Sequence, residues 1–471
     1  MKRFISCILA AVMMISYAPG ALGTDEPEAL ASEAVCLMDA KTGQVLFDKN
    51  MHEVMYPASI TKIMTAGLAL EKGIEPSSTV EMNDDAVWSV GRDTTHIALT
   101  PGEVVNVNDI LYGTMLQSAN DCANGLALFV DGDLEKFAQR MTDKAAEVGA
   151  LNTHFVNANG LPDPEHVTTA YDMAMITKWA ITVPGFREVF GADTHTMPPT
   201  NKQPKERNFY QGHKSLNHYS DFYYEYATGG KTGWTEEARN TSVTLAEKDG
   251  IELIAVTLHA QEAEGRYTDV EKLFDYGFKN FNHADFSKER FSQAPVPVYD
   301  GDNKVGEVII TPKDVTITKP STAAKADIKI QIDLPIRYNL GDEIAPSVKF
   351  ILKDKVLADV PFSFTENIEE AHRAPVTAVP DEEIKDTSDG GFHIPAWLCF
   401  VFAFIFFIIA LLFGIRSVNI VRYNRRMARK AEIRRRRAAG PNTVHPAQDH
   451  RRPQEARRRP PQRRTPTQRH R

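Results

Sequence analysis

Residues 394–415, IPAWLCFVFAFIFFIIALLFGI, carry no charged side chain. At a rise of 1.5 Å per residue, a helix of this length covers the roughly 30 Å of hydrocarbon in a bilayer, and buried core helices are rarely so uniformly apolar. A transmembrane helix is expected here, and it divides the chain: the segments on its N-terminal and C-terminal sides lie on opposite faces of a membrane. From Arg416 onward, 19 Lys or Arg stand against 3 Asp or Glu, which puts this end on the cytoplasmic side. The other end, MKRFISCILAAVMMISYAPGALG, has a basic tip (Lys2, Arg3), an apolar stretch over residues 4–17, and the small residues Ala21 and Gly23 at cleavage-site spacing. Residues 1–23 therefore read as a signal peptide, and the chain between the two ends is expected outside the cytoplasmic membrane.

Charge divides in the same way. The net charge is −8, but residues 416–471 hold +16, leaving −24 for residues 1–415. So acidic an exterior argues against nucleic acid as a partner, whereas the Arg- and Pro-rich tail is expected to be disordered and drawn to anionic lipid headgroups. Of the four cysteines, Cys7 and Cys399 fall in the two apolar ends, and Cys36 and Cys122 are expected as buried, unbridged thiols. No metal or cofactor is implied: His52-Glu53 lacks a second histidine three residues on, and there is no Cys-x-x-Cys.

With 471 residues, at least two domains are expected before the membrane. AVCLMDAKTGQVLFDKN alternates around a Lys-Thr-Gly turn and predicts a hairpin. Helical spacing comes next, over residues 59–72, 107–130, 134–149 and 169–182. TSVTLAEKDGIELIAVTLHA then predicts two strands joined at Asp249-Gly250, and TDVEKLFDYGFKNF a last helix. Early and late strands bracketing a helical middle imply an α+β domain over residues 24–285, an antiparallel sheet flanked by helices with a helical subdomain. Residues 286–365 alternate with Gly, Pro and Asp between short runs, which predicts a small all-β domain. Residues 366–393 are acidic and aperiodic, a linker.

Three short patterns carry chemistry in combination: Ser59-Ile60-Thr61-Lys62, Ser118-Ala119-Asn120 and Lys231-Thr232-Gly233. Each is weak alone, and the chain contains a second Lys-Thr-Gly at residues 41–43 and a second Ser-x-Asn at 417–419. Context separates the copies. Lys41 lies in a hairpin turn and Ser417 beside the membrane, whereas Ser59 comes after Pro57-Ala58 at a helix start, where unpaired N–H groups favour negative charge on oxygen. Ser118 is expected at a helix start or turn, and Lys231 at the opening of a strand after a flexible Thr228-Gly229-Gly230. A serine and a lysine three positions apart share a helix face, so one can activate the other.

The trio is shared by β-lactamases and penicillin-binding proteins. With PASITKIMTAGLALE, SANDCANGLA, THFVNANGL, HVTTAYDMA and GGKTGWTEEARN, the chain resembles the low-molecular-mass penicillin-binding proteins that act as D-alanyl-D-alanine carboxypeptidases, over about residues 30–285. The resemblance implies a β-lactamase/transpeptidase-like catalytic domain. It implies Ser59 as nucleophile, Lys62 as its base and Ser118 as proton relay, with Asn120, Lys231, Thr232, Gly233, Trp234 and Arg266 binding substrate. Of these, the main-chain N–H groups of Ser59 and Trp234 would form an oxyanion hole, and Lys231, Thr232 and Arg266 would receive a terminal carboxylate. It further implies a peptidoglycan stem peptide as substrate and β-lactams as acylating inhibitors. Two departures stand out: Ala119 occupies a position that is usually glycine, and a full membrane span replaces the family's common amphipathic anchor. A D,D-endopeptidase or transpeptidase uses the same nucleophile. A class A β-lactamase would need Glu-x-x-x-Asn between Asn120 and Lys231, which is missing, and a non-catalytic wall-binding protein would not need all three motifs intact. His154 and His166, and Tyr171, Asp172 and Met173, are expected to be structural, and Thr61 to pack or cap.

Overall fold

An unbroken apolar run, Ala-Val-Cys-Leu-Met, makes β1 (Ala34–Asp39) of the first hairpin, pairs with β2 (Val45–Lys49) and buries β1 on both faces. Ala34, Cys36 and Met38 point into one apolar cluster, and Val35 and Leu37 into another. The computed structural model describes residues 26, 27 and 29–369. The expected signal peptide, membrane helix, basic tail and nearly all of the acidic linker lie outside the described residues. Among those described, no helix is long and apolar enough to cross a membrane.

After a 3₁₀ turn at Ala58–Thr61 come α1 (Lys62–Lys72), β3 (Thr79–Glu81), α2 (Asp84–Trp88), β4 (Val104–Asn106), α3 (Val107–Leu116), α4 (Asn120–Asp131), α5 (Leu134–Glu147), α6 (Ala170–Ala180) and α7 (Phe186–Phe190). Next are β5 (Thr194–Met197), β6 (Arg207–Tyr210), β7 (Ala227–Thr235), β8 (Arg239–Lys248), β9 (Ile251–Ala260) and α8 (Gly265–Asn280). The main sheet is antiparallel, in the order β2-β1-β9-β8-β7, so the earliest strands close against the latest. Asp249 and Gly250, both at positive φ, make the β8–β9 turn that Asp-Gly predicts. Helix α8 covers one face through Val270, Leu273 and Phe274, and α6 packs on the other, sharing its apolar cluster with α1 and α4.

Two local expectations fail. The helical spacing over residues 107–130 is broken into α3 and α4, because Ser118 takes φ +56° and the Asn120 N–H leaves the helix pattern to bond Thr95 O at 2.9 Å. Thr228-Gly229-Gly230 is not a flexible lead but part of β7, paired with β8 through a bulge between Ala227 and Gly229.

Beyond α8 every extended element is a strand: β10 (Phe281–Phe286), β11 (Val296–Asp300), β12 (Asn303–Thr311), β13 (Val315–Pro320), β14 (Lys329–Asp333), β15 (Tyr338–Asn339), β16 (Ser347–Leu352), β17 (Lys355–Pro361) and β18 (Ser363–Ile368). They form a four-stranded sheet β15-β11-β12-β18, a three-stranded sheet β14-β16-β17 and the pair β10-β13. The β10 strand spans residue 285 and β18 runs to Ile368, so both expected boundaries fall inside pairing strands. The first hairpin is tied to this region by Thr42 Oγ1 to Thr318 Oγ1 at 2.8 Å and by His283 Nε2 to Asp39 Oδ2 at 2.7 Å.

Candidate active site

Pro57 and the strained Ala58, at φ +52°, force the chain into a 3₁₀ turn before α1 begins. In a 3₁₀ turn residues i and i+3 eclipse one another, so Ser59 and Lys62 stand in register and Lys62 Nζ reaches Ser59 Oγ at 3.0 Å. The Lys62 side chain is wholly buried, and its amine also donates to Asn120 Oδ1 at 2.7 Å and to the main-chain oxygen of Asn159 at 2.5 Å. Burial first, and then the neighbouring charge of Lys231, hold its pKa well below the ordinary lysine value.

The second wall is the break between α3 and α4. Ser118 sits in it at positive φ, and Asn120 opens α4 with its side chain turned inward. The third wall is the free edge of the main sheet. From β7, Lys231 Nζ reaches Ser118 Oγ at 2.9 Å and Thr232 O at 2.8 Å. Burial, then the charge of Arg266, draw the Lys231 pKa down from 10.5 to about 7. Arg266, in the first turn of α8, donates to Gly233 O at 3.0 Å and more weakly to Thr241 O at 3.4 Å. Thr232 is half-buried, and Trp234 projects with 62 % of its surface exposed.

The walls touch through main chain. A Cβ at Gly233 would stand 2.7 Å from Ser59 N, and one at Gly160 would stand 2.0 Å from Ala58 O, so both contacts need glycine. Thr241 Oγ1 on β8 holds Pro57 O at 2.9 Å. Ser59, Lys62, Ser118, Asn120 and Lys231 therefore meet in one cleft, with Gly233 against Ser59 and Arg266 behind the strand, while Thr232 and Trp234 stand beside them on β7. Among the described residues no cluster of potential metal ligands occurs.

Other expectations concern residues beside the cleft. Thr61 Oγ1 donates to Ala58 O at 2.8 Å and contacts His166 Nε2 at 2.9 Å, while His166 Nδ1 accepts from Val156 N at 3.0 Å. That pattern leaves the proton on Nε2, and burial pushes the His166 pKa down to about 3, so the ring is a neutral brace. His154 bonds Glu165 O at 2.9 Å and lies on the surface. Asp172 fastens the start of α6 to Asn152 and Thr153. Cys36 and Cys122 are buried and free, and burial raises both thiols.

Sequence reasoning missed three participants. Asn159 places its carbonyl on Lys62, Asn124 holds the Asn159 side chain, and His213 packs under Gly230 with Nε2 at 3.1 Å from both Ser242 Oγ and Thr244 Oγ1. The one signal was Asn159-Gly160, a turn dipeptide that marks a bend without saying what its oxygen faces.

Comparison with known proteins bears on the same cleft. A family profile described as D-alanyl-D-alanine carboxypeptidase matches residues 21–262. The carboxypeptidase DacF of Bacillus subtilis is 31% identical over 384 residues, covering 79% of this chain and 96% of that protein. DacC of Escherichia coli is 29% identical over 374 residues, 75% of this chain and 89% of that protein. Among solved structures, penicillin binding protein 5 of Haemophilus influenzae superposes with a TM-score of 0.60 at 25% identity, covering 73% of this chain and 99% of that one. With a serine, two lysines and an asparagine meeting in a cleft of that fold, the chain belongs to the D-alanyl-D-alanine carboxypeptidase family of serine-type hydrolases.

Proposed function

We propose that the protein removes the terminal D-alanine from the stem pentapeptide of peptidoglycan through an acyl-enzyme on Ser59, and that β-lactams acylate the same oxygen. The observation that carries this reading is the set of partners around Lys62 Nζ. Two of the three, Asn120 Oδ1 and Asn159 O, are carbonyl oxygens that can only accept. A neutral amine has two hydrogens and one lone pair. Once the hydrogens are committed to these carbonyls, the lone pair faces Ser59 Oγ and takes its proton.

The chemistry then runs in balanced steps. As the Ser59 proton moves to Lys62, Oγ bonds to the penultimate carbonyl carbon and the carbonyl electrons collect on oxygen. The main-chain N–H groups of Ser59 and Trp234 receive that oxyanion, a contribution of roughly 3 kcal/mol for one such donor. Ser118, hydrogen-bonded to Lys231, gives its proton to the departing amine and takes back the one Lys62 holds, while the oxyanion re-forms the carbonyl, the C–N bond breaks and D-alanine leaves. Water then attacks the ester, its proton passing to the neutral Lys62 and from there to the departing Ser59 Oγ as the peptide acid is freed. Because Asn120 Oδ1 is taken by Lys62, its NH₂ is the group that holds a substrate amide. Lys231 and the Thr232 hydroxyl receive the terminal carboxylate, and Arg266 braces the strand behind them and adds positive potential.

The sequence supports a tether at the outer face of the cytoplasmic membrane, through the uncharged run 394–415 and its basic flank, with anionic headgroups as partners of the tail. To test the activity, full-length protein in detergent is given a pentapeptide ending in D-alanyl-D-alanine and free D-alanine is measured over time. Wild type should release it, and should be labelled covalently by fluorescent penicillin. Ser59→Ala should do neither. Release by both proteins, or by neither, would sink the reading.

A further inference from the structure

Resting on the role proposed for Lys62, we infer that Asn124 is a positioning residue for the acylation step, acting through Asn159. Lys62 needs two fixed acceptors to aim its lone pair. Asn120 is held at the first turn of α4, but Asn159 lies in a loop between helices, and a loop carbonyl keeps its direction only if something holds the loop. The loop's own bonds make a turn: Asn157 Oδ1 accepts from Gly160 N at 2.7 Å, and Asn159 Oδ1 accepts from Leu161 N at 3.0 Å. They do not fix the turn to the rest of the site. Thr65 Oγ1 on α1 supplies one tie, to Ala158 O at 2.6 Å. The close approach of Gly160 to Ala58 fixes its far end, and Asn124 ties Asn159 itself, with Oδ1 accepting from Asn159 Nδ2 at 3.0 Å.

Asn124 sits on α4, one helical turn beyond Asn120, and is 2% exposed. Its own NH₂ donates to Ala86 O at 2.9 Å and Ser89 Oγ at 3.1 Å, which stops the carboxamide from rotating and so decides that Oδ1 faces Asn159. Helix α4 thereby aims both acceptors, one through Asn120 directly and one through Asn124 and Asn159. The charged or titratable groups facing Lys62 are Lys231 from β7, Asp121 and Cys122 from α4, and His166 from the segment before α6. None of them is removed by substituting Asn124.

The experiment measures fluorescent-penicillin acylation rates against pH for the full-length wild type, Asn124→Ala and Asn124→Asp. In Asn124→Ala the Asn159 carbonyl loses its aim. The plateau rate should fall roughly tenfold, the effect of about one misplaced buried hydrogen bond on the barrier. The low-pH limb, where Lys62 must lose its proton, should move to lower pH, because a carbonyl dipole stabilises the ammonium more than the amine. Asn124→Asp keeps an acceptor for Asn159 Nδ2 and can accept from Ser89 Oγ, but it loses the donor to Ala86 O and adds a carboxylate that favours the ammonium. Its plateau should recover part of the loss, and its limb should move to higher pH. A fold defect alone would lower the amplitude of both variants and move neither limb. Unmoved limbs, wild-type acylation by Asn124→Ala, or equal plateaus in the two variants would overturn the inference. Absence of labelling in the wild type would instead bring down the role of Ser59.

Discussion

Two lysines, buried within reach of one another, are kept apart in protonation by what each touches. Lys62 meets carbonyls and a hydroxyl in a closed pocket, whereas Lys231 meets a hydroxyl and a carbonyl at the strand edge with Arg266 behind it. The base is needed neutral and the carboxylate clamp charged, so kcat/KM should rise with pH as Lys62 deprotonates and fall as Lys231 loses its proton near pH 7 in the free enzyme. Arg266→Gln removes the second cause of the lowered Lys231 pKa. Its high-pH limb should move upward while the low-pH limb stays, as a pH series of peptide hydrolysis would read. At this scale the sequence was informative wherever a side chain does the work, as at Ser59, Lys62, Ser118 and Lys231. It was silent where the main chain does: the Asn159 carbonyl exists in every residue, and no letter marks the one that points at an amine.

Elements set the distances between these groups. The 3₁₀ turn at Ala58–Thr61 and the edge strand β7 approach without side chains between them at Gly233, whereas the break at Ser118 meets β7 through the Lys231 amine. Gly233→Ala would drive a Cβ to 2.7 Å from Ser59 N and 2.5 Å from Thr241 Oγ1, and the first of these is backbone with no room to yield. Acylation by penicillin should drop at least about a hundredfold, about 2.7 kcal/mol on the barrier, while the circular dichroism spectrum stays that of the wild type. Long periodic helices and the Asp249-Gly250 hairpin were readable because many residues vote on one period. The four strands β3 to β6 were not, since three or four residues are too few to establish alternation. At Ser118 two signals disagreed: apolar spacing continues across it and argued for one helix, the motif's expected place at a helix start or turn argued for a break, and the tertiary bond from Asn120 N to Thr95 O decides for the break.

For the molecule as a whole, burying two amines has a cost that depends on pH. Lys231 binds its proton more weakly folded, at about 7, than unfolded, at about 10.5, so between those values the unfolded chain holds more protons and stability rises with pH. Lys231→Met should therefore raise the melting temperature most at neutral pH and below, and the gain should shrink toward pH 10 in a thermal-unfolding series. A gain that grew with pH would contradict the burial of a cation there. The pairing of β1 with β9 has a further consequence, for the timing of biogenesis. Ser59 is translated early and Lys231 late, and the sheet that joins their walls cannot close until residue 260 has been made. A nascent chain arrested before that point carries its nucleophile but no finished pocket, so covalent capture of an antibiotic would report completed synthesis of the domain, whatever fragments accumulate beforehand.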